Sequence, residues 1–160
     1  MRCTIDDREK IQRVLEHPDV FKWMADDYAN LGDVSRAVEV FLTSPKSIYV
    51  LMPVEGLVRI FIARSTTTYE GHGFAIPEIR GAQATTNGII DGLQWMFKNT
   101  EAKKIFAFIP DDNKRAIRFA HKVGYKTEGV LTKSLVRDGK LYDQILVGVT
   151  KEEFSEWVQH

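Results

Sequence analysis

The sequence predicts an α+β fold, with one mixed, mainly antiparallel sheet, a single βαβ crossover and flanking helices, in a single domain over residues 1–160. Three observations predict it. Extended segments follow one another without an intervening helix between Ser47 and Pro77. Helical and strand patterns then alternate as far as Gly124. Two alternating segments flank Asp138-Gly139, a strong two-residue hairpin signal.

Each element follows from its residues. Thr4 or Asp6 is placed to cap a first helix with Ile11, Val14 and Leu15 on one face, and Pro18 suits the first turn of a second helix carrying Val20, Phe21, Trp23 and Met24. Residues 26–46 are the least readable, since RAVEVFLTSP fits helix or strand. SIYVLMP and LVRIFIARS, separated by Val54, Glu55 and Gly56, read as a hairpin, and TTTYEGHGFAIP as a third antiparallel strand. Residues Thr85 to Lys98 place Ile89, Leu93, Met96 and Phe97 at helical spacing, with Gly88 and Gly92 leaving a shallow groove for close packing. KIFAFIP reads as a strand buried on both faces. PDDNKRAIRFAHKVG starts with helix-capping acids and stops at Gly124. Strands at about Thr127–Val136 and Leu141–Val149 and a short helix in EEFSEWVQ complete the chain.

Composition narrows the function. At 160 residues and 44% hydrophobic, the chain can bury a full core without disulfides or metal. The 22 basic residues cancel the 22 acidic ones, so neither nucleic acid nor a membrane surface is an expected partner. The lone Cys3 excludes an internal disulfide, and the dispersed His17, His72, His121 and His160 have no metal-ligand spacing, so no metal is expected. MRCTIDDREK lacks the apolar core of a signal peptide and no apolar run could span a bilayer, which makes a cytoplasmic monomer or homodimer the expectation.

The stretch IPEIRGAQATTNG, residues Ile76 to Gly88, is the first candidate site. Arg80, Gly81, Ala82, Gln83 and Ala84 lie where a strand ends and a helix begins, so N–H groups without helical partners point out of the helix start. The same residues would also serve merely to turn the chain. The spacing is neither that of a P-loop nor of a dinucleotide fingerprint.

In order, HGFAIPEIRG, a helix with LQWMF, KIFAFIP, NKRAIRFAHKVGYKTEGVL and GKLYDQILVGVTKEEF resemble the GNAT family of acetyl-CoA-dependent N-acetyltransferases. The resemblance covers residues 66–154, and its most specific part is Asn113, Ala116, Gly124 and Tyr125. Glu128-Gly129, Gly139 and Asp143 look like the branch containing the ribosomal-protein N-terminal acetyltransferases, and similar compact chains are encoded by phages, which would place this one in a host cytoplasm.

The resemblance implies that acetyl-CoA is the cosubstrate. Its pyrophosphate would lie on Arg80, Gly81, Ala82, Gln83, Ala84 and Thr85, and its pantetheine arm beside Phe74, Ala75 and Ile76. Asn113 would bond the arm from the other side, with Phe119 and Lys122 also in contact. The acceptor would be a primary amine on a protein N-terminus, a lysine or a small molecule. Two departures from the family pattern are present: Gln83 stands at an inner-glycine position, and Ala120 where a tyrosine often protonates the leaving thiolate.

The chemistry needs a base, because the attacking amine must be neutral. Glu70 and His72, two apart on one strand, project to one face beside the expected thioester, and a histidine changes charge near neutral pH. Both residues also fit ordinary roles, packing for His72 and solvation for Glu70. Backbone N–H near Phe74 or Ala75 would polarise the carbonyl. Water is the acid unless the final hairpin brings Ser134 or Tyr142 over the site. The alternative to an enzyme is a GNAT-like module that keeps the fold for CoA binding or protein interaction, suggested by Gln83 and Ala120.

Overall fold

The computed structural model describes residues 2–24, 26–27, 30–44 and 47–160. After a 3-10 turn at Ile5–Asp7, the elements are α1 (Arg8–Leu15), α2 (Pro18–Met24), α3 (Leu31–Thr43), β1 (Ile48–Val54), β2 (Leu57–Ala63) and β3 (Thr68–Ala75). A second 3-10 turn at Pro77–Ile79 precedes α4 (Gln83–Asn99), β4 (Lys104–Pro110), α5 (Lys114–Lys122), β5 (Lys126–Arg137), β6 (Lys140–Thr150) and α6 (Lys151–Val158). The six strands form one sheet in the order β1-β2-β3-β4-β6-β5. All neighbours are antiparallel except β3 and β4, which α4 joins as the single parallel crossover. This is the predicted α+β architecture.

Alternation along the strands divides the core in two. Leu57, Phe61, Tyr69, Ile105, Val147 and Val149 meet Leu93, Met96, Phe97 and Phe154 on the face covered by α4, α5 and α6. Val50, Val58 and Ile60 meet Ile11, Leu15, Val34 and Val38 on the opposite face, under α1 and α3. Gly88 lies against Leu57 and Pro53, and Gly92 over Arg59, which brings α4 down onto the sheet as its glycine spacing predicts.

The ambiguous segment is helix. Val34, Val38, Phe41 and Leu42 recur at helical spacing and pack together, and that stripe outweighs the local alternation of VEVF. Two expectations change. The cap of α5 is Asn113, whose Oδ1 accepts the Ala116 N–H at 3.2 Å, and not the acids before it. β4 is not buried throughout, because Phe106, Ala107, Phe108 and Ile109 are only half-buried although the strand is central in the sheet.

Candidate active site

The half-buried stretch of β4 marks an opening in the sheet. Parallel pairing of β3 with β4 covers only Thr68–Glu70 against Lys104–Phe106. Beyond that point β3 stays paired with β2 as far as Ala75, and β4 with β6 as far as Pro110. The two strands therefore part, and each keeps a free inner edge. Ile76 donates its N–H to Gly56 O (3.1 Å) and Arg64 its N–H to Thr68 O (2.9 Å), so the even-numbered residues of β3 bond towards β2. By the same alternation, Gly73 and the N–H of Ala75 face the opening, while Phe74 and Ile76 turn their backbone groups away. On β4, Asp111 N–H bonds Asp143 O, so the odd positions face β6 and Phe108 faces the opening.

The mouth of the opening is the turn into α4. Arg80 anchors it: Nε donates to Ala75 O (2.8 Å) and a terminal nitrogen to Asp19 O (2.9 Å), tying the end of β3 to the start of α2. Burial and the nearby Arg115 push the Arg80 guanidinium below its usual value, so two cations share this corner. Gly81 has φ +86°, a left-handed conformation that glycine adopts without strain, and a Cβ placed there would meet nothing within 4 Å. Ala82 is the N-cap and has no side chain to cap with, so the N–H groups of Gln83 and Ala84 lack intrahelical acceptors. Gln83 does not crowd them; its amide runs along the helix to Asn87 Oδ1 at 2.8 Å. Thr85 is buried and its hydroxyl donates to Ile79 O (2.6 Å), bracing the turn.

On the α1 and α3 face, Glu70 and Phe106 are the last in-register pair, with His72 on the next inward position of β3. Glu70 is nearly enclosed and holds both neighbours. Arg64 bonds its Oε2 through Nε (2.9 Å) and a terminal nitrogen, and His72 Nε2 lies 3.2 Å from its Oε1. The hydrogen bond from His72, followed by those from Arg64, holds the Glu70 carboxyl at about 2 against the opposing effect of burial. Both carboxylate oxygens are thus engaged by cationic or N–H groups. The imidazole is a third exposed, stacks in parallel with Phe74 at 6.1 Å, and with Nε2 turned to the carboxylate has Nδ1 as its remaining acceptor.

The other predicted residues belong to α5 and its cap, which follow β4. Asn113 caps α5 three residues after the end of β4 and donates its N–H to Pro110 O (2.9 Å); Phe119 is partly buried against the α4 core, and Lys122 is exposed at the end of α5. The final hairpin does fold across towards α2. Asp27 accepts the N–H groups of Asp138 (2.6 Å) and Gly139 (2.7 Å), and Arg137 lies between the Trp23 and Tyr142 rings while pairing with Asp112 at 2.5 Å. Ser134 is engaged on its own hairpin, donating to Leu131 O at 2.8 Å.

One residue escaped the sequence reading. Arg59, in the middle of β2, is 3% exposed. It lies on the α4 face beside Leu57 and Phe61, with its guanidinium 4.8 Å from the Phe61 ring and one terminal nitrogen bonded to Ile89 O at 3.1 Å. The signal was present in LVRIFIA, an apolar run with no solvent face, where Arg59 falls in phase with Leu57 and Phe61 and its neighbours Val58 and Ile60 are buried on the other side.

No family model matches the chain. Among curated proteins, the SPbeta prophage-derived uncharacterized N-acetyltransferase YokL of Bacillus subtilis is 28% identical over 103 residues. That match covers 64% of this chain and 58% of the relative's length. Among solved structures, spermidine N-acetyltransferase from Vibrio cholerae in complex with CoA and spermine superposes with a TM-score of 0.79 at 14% identity, covering 97% of this chain and 96% of that one. A GNAT-family acetyltransferase from Bacillus anthracis gives 0.73 at 18% identity, with 92% and 90% covered. Ribosomal-protein-S5-alanine acetyltransferase from Vibrio fischeri gives 0.76 at 14% identity, with 96% and 93% covered. With its order of elements, its parted parallel strands and these similarities together, the chain has the GNAT acetyltransferase fold.

Proposed function

We propose that the protein is an N-acetyltransferase that moves an acetyl group from acetyl-CoA to a primary amine by direct attack. The observation that carries this reading is the parting of β3 and β4 beyond Glu70 and Phe106, with an uncapped α4 N-terminus at its mouth. Strand edges left free within a sheet are a template for a further strand, so the free groups of Gly73, Ala75 and Phe108 suit an extended polar ligand that pairs as a strand would. The α4 start and the Arg80 and Arg115 charges suit an anion at one end of that ligand. A pantetheine arm ending in a pyrophosphate has both properties, so the residues present fit acetyl-CoA.

Acetyl-CoA supplies a thioester carbonyl. The chain's residues do the rest. Ala75 N–H and the loop N–H groups from Gly81 to Ala84 orient the donor, with Thr85 bracing the turn, and Asn113, Phe119 and Lys122 form the opposite wall. His72, held by Glu70 through Nε2, takes the amine proton on Nδ1, directly or through water. Glu70 positions the base and does not itself abstract the proton, because its oxygens are already engaged. Amine acceptors named for proteins of this fold, spermidine and a ribosomal-protein alanine, support a primary amine as the acceptor class.

Saturating acetyl-CoA tests the reading. At a hundredfold excess over Kd it should stabilise the fold by about 2.7 kcal/mol, a rise in Tm of roughly 5–11 °C. Thiol release with a panel of peptide, lysine and polyamine amines should follow. A thermal shift without thiol release would make the protein a CoA-binding module; no shift would refute both.

A further inference from the structure

The face of the opening that carries His72 has an apolar side that neither core uses. Phe106 and Phe108 are half-buried on β4 and pack edge-on to each other, with ring centroids 5.8 Å apart. The residues that alternate with them, Ile105, Ala107 and Ile109, belong to the core under α4, so both phenylalanines turn to the α1 and α3 face. The core on that face takes in Phe74 and Ile76 but, among the described residues, nothing from β4, β5 or β6. Leu146, paired with Phe108, extends the apolar surface onto β6 and is also half-buried. Across the opening, on β3, stands His72 stacked on Phe74. The acids on this face already have partners. Glu70 is held by Arg64 and His72, and Glu128, which lies over Gly148, by Lys104 at 2.5 Å. Just past β4, Asp112 is paired with Arg137. α2 bridges the outer end: Asp19 is tied to Arg80 at the end of β3, and Asp27 to the hairpin turn at Asp138 and Gly139.

We propose that Phe106 and Phe108 select the acceptor, and that it is a small primary amine with an apolar body, aromatic or branched aliphatic, and no second charge. The proposal rests on the acetyl-transfer reading and names the acceptor class of that same site. Two strands that admit a ligand pairing between them stand about 10 Å apart, twice the ordinary spacing. A nitrogen at His72 and an apolar body on the two phenylalanines are then about half that distance from each other, the length of an ethylamine chain on an aromatic ring. The amine has to reach the carbonyl as the neutral base, and apolar surroundings favour that form over the ammonium. A polyamine would bring further charges to a face whose carboxylates are engaged, and leaving those charges unpaired there is unfavourable. The bridge made by α2 bounds the groove, which suits a small molecule.

Two measurements test this. In the first, kcat/KM is compared for phenethylamine, ethylamine and spermidine at saturating acetyl-CoA. The wild type should favour phenethylamine over each of the others by at least about tenfold, as expected for a ring held in an apolar site. The ratio of phenethylamine to ethylamine should fall about tenfold in Phe108→Ala and less in Phe108→Leu, which keeps an apolar side chain. The second measurement needs no turnover: phenethylamine should raise the Tm of the CoA-bound wild type further, spermidine should not, and Phe108→Ala should respond less than Phe108→Leu. Circular dichroism confirms that each variant folds. A wild-type preference for spermidine, or no added shift from phenethylamine, overturns the proposal and leaves acetyl transfer standing. So does an acceptor ratio unchanged in Phe108→Ala, including one accompanied by weaker CoA binding, which would set the two rings against the cosubstrate. No binding of CoA by the wild type, or binding of CoA and phenethylamine with no acetyl transfer to any amine, refutes the acetyl-transfer reading, and this proposal with it.

Discussion

Replacing Glu70 with glutamine tests whether this carboxylate is a holder of charge or a solvated surface group. Glutamine keeps the shape, removes the ion pair with Arg64 and takes away the charge that accepts the His72 hydrogen bond. A carboxyl that titrates at about 2 in the folded chain and 4.5 in the free side chain could contribute up to about 3.4 kcal/mol at neutral pH, at 1.36 kcal/mol for each tenfold. Screening lowers that figure. Arg64 is 52% exposed and His72 32% exposed, so water weakens both partners; about 1–2 kcal/mol is the expected contribution. The folded value is depressed, so the stabilisation is complete above 4.5 and is lost as pH falls through about 2.

The assay is urea unfolding of wild type and Glu70→Gln at several pH values between 7 and 2. At pH 7 the variant should be weaker by about 1–2 kcal/mol, or roughly 2–8 °C in Tm. That gap should close between pH 4.5 and about 2. Other acids titrate in the same window, including Glu153, which its Lys126 partner holds at about 2, but they do so in both proteins and cancel in the difference. A gap as wide at pH 2 as at pH 7, or no gap at pH 7, would refute the reasoning.

Two further substitutions separate donor binding from chemistry. His72→Ala should leave acetyl-CoA binding within about twofold and lower kcat by about 10²-fold or more, in the range for a lost general base; unchanged turnover would remove the base assignment. Asn113→Ala removes the side chain that caps α5, so chemical melts should show a loss of about 1 kcal/mol. Calorimetry should also show weaker acetyl-CoA binding, and full affinity in a folded variant would confine Asn113 to capping.

What could be read from the sequence divides along physical lines. Periodicity and turn chemistry report on one element at a time, and they located the three antiparallel strands, the crossover and the Asp138-Gly139 hairpin. They do not report where two paired strands part. KIFAFIP has the composition of a fully buried strand, and its half-exposed centre follows only from pairing with β3 that stops at Phe106. For the same reason Phe74 and Ile76 were as eligible as Ala75 for contact with a ligand until register fixed which backbone groups face the opening. His72 and Glu70 were legible as a pair because a spacing of two on a strand puts them on one face. Their unequal hydrogen bonding was not, since Arg64 reaches Glu70 across a turn that spacing alone does not describe.

The arginine of the α4 turn shows how a residue type can suggest a site for an incomplete reason. An Arg-Gly pair before a helix reads as a guanidinium fork waiting for phosphate. In the folded chain, Arg80 directs two of its nitrogens to the carbonyls of Ala75 and Asp19, so much of the fork is already in use. Its charge remains, next to that of Arg115, but in the proposed binding mode directional recognition would fall to the peptide N–H groups after Gly81. On this account Gln83 is tolerated because an anion held by backbone donors meets Gln83 through its N–H, while its side chain is drawn away along α4 by Asn87. The inner glycine of the family pattern and this glutamine can then present the same donor.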